Sequence, residues 1–231
     1  MAPADLHRGT FIALEGIDGS GKTTIATRLA AAIRAAGVEV VLTREPGGTE
    51  VGEKIRDVLL AAGGDGMAPA TEVLLFAAAR AQHVTEVIRP ALDRGAVVIT
   101  DRFGDSTRAY QWGGRGICRE AIESAQRIAA GDLVPDLKIL FDLPVEVALR
   151  RRLRDAGQAN RLDHESAEFH ARVRAAYLAL AAEEPARWRV VDASLAPEAV
   201  WTQVAEAVDA SGALPVELGA ERRGDATRSR S

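Results

Sequence analysis

Five short apolar runs rich in β-branched residues punctuate the chain: Thr10–Glu15, Val38–Leu42, Ala96–Asp101, Leu137–Asp142 and Arg189–Asp192. They lack strict polar alternation, the pattern of strands buried on both faces. Between them, apolar positions recur at helical spacing and predict helices near 22–36, 50–62, 70–93, 119–130, 145–156, 165–184 and 197–210. Gly37 and Gly131 are placed as helix stops. Pro90 is expected to end or bend the third helix, because proline lacks an N–H and its ring crowds the preceding turn. Strand and helix in alternation predict a parallel sheet with helices on both faces, an α/β/α three-layer domain. Several runs end on or near an acid (Glu15, Asp101, Asp142, Asp192), at the carboxyl ends where open α/β sheets bind ligands.

The domain is expected to span 10–210, after an N-terminal extension at 1–9. From about Ser211 the hydrophobic period is lost, and 211–231 reads as a solvated, poorly ordered tail. Its Arg222, Arg223, Arg228 and Arg230 are interleaved with Glu217, Glu221 and Asp225, which argues against a nucleic-acid arm.

Composition narrows the classes. A chain of 231 residues can bury a substantial core as one domain. A net charge of -4 leaves no overall basic field to hold a polymeric nucleic acid. Cys118 is the sole cysteine, which excludes an intrachain disulfide or a metal-thiolate cluster and fits a reducing compartment. No apolar run approaches the roughly 20 residues a membrane helix needs, and Met1 to Arg8 lacks the apolar core of a signal peptide, so a cytoplasmic location is expected.

The strongest motif is Gly16-Ile17-Asp18-Gly19-Ser20-Gly21-Lys22-Thr23, with the spacing G-x-x-x-x-G-K-[ST] between a predicted strand and a predicted helix. Glycines let the backbone curl so that successive N–H groups face phosphate oxygens, and the helix N-terminus adds partial positive charge. Lys22 is expected to reach the β- and γ-phosphates of ATP, and the Thr23 hydroxyl to join a Mg²⁺ shell, with Thr24 completing the ATP-binding segment. Asn160 is the only asparagine, so no Asn-Lys-x-Asp segment is present to read guanine. No basic patch interleaved with aromatics suggests a nucleic-acid motor. A small-molecule kinase remains.

Several segments in order, Glu15 to Thr24, Thr43-Arg-Glu-Pro-Gly-Gly-Thr49, Leu75-Phe-Ala-Ala-Ala-Arg80, Asp101-Arg-Phe103 and Ser106-Thr-Arg-Ala-Tyr-Gln111, resemble bacterial thymidylate kinase, from about Thr10 to Val208. The resemblance implies a P-loop nucleoside-monophosphate-kinase fold with a five-stranded parallel sheet and a short lid near 150–162, a homodimer, and transfer of a phosphoryl group from MgATP to dTMP. Two other readings stay open: a deoxynucleoside kinase acting on a free 5′-hydroxyl, and a non-catalytic ATP-binding module.

Phe76 and Arg80 lie four apart, on one face of a predicted helix, where an aromatic ring and a rigid donor fork could meet a pyrimidine. From spacing alone Phe76 reads as a core residue, with Arg80 a surface charge as the competing account; the resemblance implies instead that Phe76 stacks on the base and that Arg80 donates to O4. Asp101-Arg102 follows an apolar run, so Arg102 is expected to clamp phosphate and Asp101 to act near Mg²⁺ or to orient Arg102. Arg44 is a second candidate clamp, and Glu45 with Pro46-Gly47-Gly48 shapes its loop. The resemblance places Asp18 near the acceptor 3′-hydroxyl, Tyr110 at C2′ and Thr107 at the base edge, with Ser106 and Gln111 in the same substrate-binding segment. Arg150, Arg151, Arg152, Arg154 and Arg161 cluster in the lid region; of these Arg151, Arg154 and Arg161 are candidate catalytic cations beside Lys22, Arg102 and Asp18. Glu146 with Arg150 and Arg151 with Asp155 are equally helix-supporting pairs. Gly19 stands where some relatives carry an arginine, and Trp112 where many have glycine, as a lid or dimer contact.

Overall fold

The apolar runs become strands whose side chains are buried on both faces. In the computed structural model, which describes residues 8–61, 66–154 and 161–218, β1 (Phe11–Glu15) is buried at all five positions. It lies between β3 (Val97–Asp101) and β4 (Leu137–Asp142), with β2 (Val40–Arg44) and β5 (Trp188–Asp192) outside them. The order is β2-β3-β1-β4-β5, and every pairing is parallel. The chain leaves β1 toward β2 but leaves β4 toward β5, so connections diverge between β1 and β4 and a crevice opens at their carboxyl ends. The phosphate loop runs directly out of β1 into that crevice.

Helix α1 (Lys22–Ala35) follows the loop and buries Ile25, Leu29 and Ile33 against the sheet. It ends at Gly37, whose φ of 82° suits glycine and whose N–H donates to Arg34 O at 2.9 Å. The Val38 N–H still bonds back to Ile33 O, which is why β2 begins two residues later than the apolar run suggests. Helix α2 (Glu50–Leu60) is capped by Thr49, which accepts from Gly52 N at 2.9 Å.

The expected helix at 70–93 is one long element with a widened turn. Helix α3 (Pro69–His83) passes through a π-helical turn (Val84–Ile88) into α4 (Arg89–Asp93). Pro90 cannot donate, and the wider turn just before it relieves the crowding on the carbonyl four residues back. A second composite helix has no counterpart in the sequence reading: α5 (Gly104–Thr107) runs into a π-helical stretch (Arg108–Gly114). Gly113 and Gly114 resemble a loop in sequence, but a Cβ there would lie 2.4 Å from Ala176 Cβ and 2.5 Å from the Phe169 ring. They are small so that this helix can press against α8 (Ala167–Glu183).

Helix α6 (Arg119–Ala130) stops at Gly131, as expected, and α7 (Val145–Arg154) and α9 (Pro197–Ser211) complete the layers among the described residues. A short 3₁₀ turn (Arg161–His164) precedes α8. Beyond Gly212 the chain folds back, which the expected tail from 211 did not anticipate. Thr10 Oγ1 donates to Ala213 O at 2.6 Å, Leu214 packs on the core, and Leu218 is buried, its N–H on Asp209 at 2.8 Å. The first seven residues, 62–65, 155–160 of the expected lid and 219–231 lie outside the described residues.

Candidate active site

A cavity of about 890 Å³ opens at the carboxyl ends of β1, β2 and β3, within the range of small-molecule sites. Gly19, Gly21, Lys22, Thr23 and Thr24 line one part of it, and Phe76, Arg80, Thr107, Tyr110 and Gln111 another. Asp18, Arg102 and Ser106 also line it and are hydrogen-bonded to one another through Arg102.

The loop has the curled backbone its glycines predict: φ is 139° at Gly16, 80° at Gly19 and 87° at Gly21. A Cβ at Gly16 would stand 2.7 Å from Phe141 O, and at Gly19 2.6 Å from Ala148 O, so neither position admits a side chain without backbone movement. Lys22 Nζ donates to Ile17 O at 2.9 Å and Ser20 Oγ at 3.2 Å. Burial, then the nearby Arg102 charge, pulls the Lys22 ammonium down to about 8. Thr23 Oγ1 donates to Asp101 Oδ2 at 2.5 Å, bringing both expected metal-site residues together across the α1–β3 gap.

Arg102 is the centre of the second cluster. Its guanidinium donates to Asp18 Oδ1 at 2.8 Å, Gly16 O at 2.9 Å and Ser106 Oγ at 3.1 Å, and it approaches the Tyr177 and Tyr110 hydroxyls at 3.2 and 3.3 Å. Burial alone would raise the Asp18 carboxyl, but Arg102 and then Lys22 outweigh it and hold the group well below the usual carboxylate range. Tyr110 OH donates to Asp18 Oδ2 at 3.2 Å, and burial pushes the phenol upward so that it stays neutral. Asp18 therefore joins the phosphate loop to the Arg102 cluster as an ionised carboxylate.

Arg80 is almost wholly buried, and all of its donors are engaged. Nε donates to Glu45 Oε2 at 2.7 Å, one terminal nitrogen to Gln126 Oε1 at 2.7 Å and Thr107 Oγ1 at 3.1 Å, and the other to Phe103 O and Thr107 Oγ1, both at 3.1 Å. Any donation to a ligand must share or displace one of these bonds, and Thr107 Oγ1, which takes two of them, is the natural one. His83 completes the cluster, bridging Glu45 Oε1 at 3.0 Å and Thr43 Oγ1 at 2.7 Å. Phe76 is partly buried and lines the cavity, so it is both a core residue and a wall.

The lid arginines divide. Arg151 and Arg152 face the cavity, Arg151 donating to Ala193 O at 2.9 Å. Arg161 is not among the residues lining the cavity: it is buried, and its guanidinium donates to Glu72 and to Leu59 O at 3.3 Å. The cause is Glu72, a buried carboxylate on α3 that also accepts from Gln111 Nε2 at 2.7 Å and Arg115 Nε at 3.1 Å and needs that much positive charge to remain ionised. The side chain of Arg154 lies outside the described residues. Trp112 packs on the main core with the Arg119 guanidinium 5.1 Å from its ring, an arrangement within the domain.

The sequence reading missed Arg56 and the buried carboxylates Glu72 and Asp105. Arg56 lines the cavity beside Arg44, donates to Pro46 O at 2.8 Å, and is pulled down by burial and then by the Arg44 charge. Arg44 itself is paired with Glu53 at 2.8 Å. Nothing in a helix with apolar period marks Arg56 as cavity-facing, whereas Glu15, an acid ending a fully apolar strand, carried a usable signal.

Residues 14–204 match the family described as thymidylate kinase. A thymidylate kinase from Thermomicrobium roseum is 55% identical over 200 residues, covering 85% of this chain and 94% of that one. One from Trichlorobacter lovleyi is 47% identical over 211 residues, covering 89% of this chain and all of the relative. The crystal structure of thymidylate kinase from Ehrlichia chaffeensis superposes with a TM-score of 0.70 at 34% identity, over 87% of this chain and 99% of that one. With the family match extending from the end of β1 into α9, and so across both halves of the cavity, this chain belongs to the thymidylate kinase family.

Proposed function

We propose that the protein transfers the γ-phosphoryl group of ATP to the phosphate of dTMP, giving dTDP and ADP. The observation that carries this reading is a single cavity lined both by the phosphate loop and by aromatic and arginine side chains, the two sets linked by the Asp18–Arg102 ion pair at 2.8 Å. One half suits a triphosphate, the other a flat base with a phosphate directed at Arg102. In-line transfer needs little covalent help from the protein; it needs two phosphates held together and their charge compensated. Lys22, Arg102, Arg151 and Arg152 supply that charge, with Arg44 and Arg56 on the adjoining wall. Asp18, held ionised by Arg102, is read as the acceptor for a sugar hydroxyl. Phe76 and Tyr110 offer apolar surface to the base and sugar, and Arg80, Thr107 and Gln111 offer polar edges.

The Thr23 hydroxyl and Asp101 carboxylate are hard oxygen donors side by side at the loop, a set that suits Mg²⁺ completed by phosphate oxygens and water. Bound there, the ion would neutralise charge on the phosphates.

We further read the protein as a cytoplasmic homodimer. No described helix is long and apolar enough to cross a membrane. Helices α2, α3 and α6 pack side by side and carry exposed Val51, Val58, Leu74 and Ile128, the last 87% exposed, surface that a second copy would cover.

The deciding assay offers dTMP, dUMP, dCMP, AMP and thymidine in turn with MgATP and follows ADP. Release with dTMP is expected, and Lys22→Ala should lower it by about a thousandfold. Release with thymidine alone would make the protein a nucleoside kinase; release with none would make it a binding module.

A further inference from the structure

We propose that Glu15 and Tyr177 are positioning residues for phosphoryl transfer: with Ser106 they form a hydrogen-bonded ring that holds Arg102 against Asp18 and the phosphate loop. The consequence for catalysis rests on the dTMP kinase reading; the ring itself rests on geometry alone.

Among the described residues Arg102 is the one non-glycine with a clearly left-handed backbone, at φ 75°. Such a conformation is costly for an L-residue and persists where its surroundings over-determine it. Here they do. Arg102 N donates to Leu14 O at 2.9 Å, and Thr100 Oγ1 donates to Arg102 O at 2.8 Å. The next N–H, that of Phe103, donates to Glu15 Oε1 at 2.9 Å. One oxygen of Glu15 thus pins the backbone immediately after the strained residue.

The other oxygen holds the side chain. Glu15 Oε2 accepts from Ser106 Oγ at 2.6 Å and Tyr177 OH at 3.2 Å, and those two hydroxyls are 2.8 Å apart. Both in turn lie within hydrogen-bond reach of the same Arg102 nitrogen, at 3.1 and 3.2 Å. The ring closes from guanidinium to hydroxyls to carboxylate and back through the backbone. A carboxylate can accept on both oxygens, as this requires; glutamine can accept on only one. Tyr177 is contributed by α8, far from the loop in sequence, and its ring also meets Tyr110 edge-on with centroids 6.4 Å apart. Removing its hydroxyl takes one partner from Glu15 and one from Arg102 while leaving the packing in place.

Charge makes the ring sensitive to protonation. Glu15 is fully buried and faces Arg102, Asp105, Lys22 and the Ser106 and Tyr177 hydroxyls; burial, then Asp105, pushes its carboxyl up to about 7. A proton on Oε2 would set a donor against two donors.

The test uses the full chain with Tyr177→Phe and Glu15→Gln, steady-state kinetics at saturating ATP, melting temperature, and the ¹H–¹⁵N resonances of the Arg102 guanidinium. Tyr177→Phe is expected to lower kcat about tenfold with little change in KM for ATP or in melting temperature. Glu15→Gln should lower kcat more and remove a component of the rise in kcat/KM for dTMP between about pH 6 and 8. The dTMP phosphate titrates in that range for both enzymes, so the difference between profiles reads Glu15. In both variants the Arg102 resonances should broaden. A folded Tyr177→Phe enzyme with unchanged kcat and sharp Arg102 resonances overturns the proposal, as does an unchanged pH profile in Glu15→Gln. If a variant unfolds, the wild-type Arg102 resonances decide: a shift across the Glu15 titration supports the ring, and invariance overturns it. If the wild-type protein leaves dTMP unphosphorylated, the functional reading falls, while the Arg102 resonances still decide the ring.

Discussion

Glu15 carries its charge at a cost that can be measured. Its ordinary value of 4.5 is pushed up to about 7 in the fold, so between those pH values the folded protein holds a proton that the unfolded chain has released. Stability contributed by that proton is present at the acid end of the window and is lost as pH rises toward 7. Asp18 acts in the opposite sense: held low chiefly by Arg102 against its burial, it contributes stability above the ordinary carboxylate range that is lost in acid. The two slopes overlap little, so they can be separated. Denaturant unfolding of the wild type and Glu15→Gln is expected to show a free-energy difference that shifts in favour of the glutamine variant as pH rises from about 5 to 7, by more than about 1 kcal/mol. A difference flat with pH would mean that Glu15 is ionised throughout. Activity should move the other way, because the carboxylate that costs stability is the one that organises Arg102.

The loop after β2 and helices α3 and α6 are joined beside the cavity by one buried ion pair and the hydrogen bonds around it. Glu45, after β2, is 5% exposed and holds Arg80 of α3, which in turn reaches Gln126 of α6. Replacing a buried pair with apolar residues is often neutral, but removing one partner leaves an uncompensated charge. Glu45→Ala is therefore expected to destabilise the fold by roughly 3 to 5 kcal/mol, read as the midpoint in guanidinium, and to raise KM for dTMP more than KM for ATP. An equal rise in both would separate Arg80 from the acceptor half. This element scale also shows what was legible beforehand. The five strands, the phosphate loop and the Asp101-Arg102 turn follow from apolar runs, glycine spacing and strand-end acids, all of which are local patterns. The helix at 104–114 was hidden because its glycines answer to α8, a helix distant in sequence. The burial of Arg161 was hidden for a similar reason: its partner Glu72 is 89 positions distant and carries no local mark. Burial of a charge, and the partner that makes it tolerable, are properties of the folded neighbourhood.

The whole molecule separates its stability from its chemistry along the strand direction. The site sits at the carboxyl ends of the strands, whereas the returning segment after α9 is attached at the opposite end, where Thr10 just before β1 bonds to Ala213. Five residues of strand at about 3.3 Å each put roughly 17 Å between that attachment and the phosphate loop. Leu214 packs on the core and Leu218 is buried, so the segment supplies apolar burial worth roughly 1.5 to 3 kcal/mol for each fully covered leucine. Part of that is offset by the entropy of ordering the segment. For a chain of this size each kcal/mol moves the melting temperature by about 2 to 4 °C. A chain ending at Ser211 is expected to melt about 5 °C lower and to keep kcat/KM for dTMP at about 25 °C within about twofold of the full chain. Loss of activity without loss of melting temperature would mean that the segment reaches the catalytic face. Loss of both in proportion, with activity restored on cooling, would still place its effect in the folded fraction, as expected for a clasp at the amino edge of the sheet.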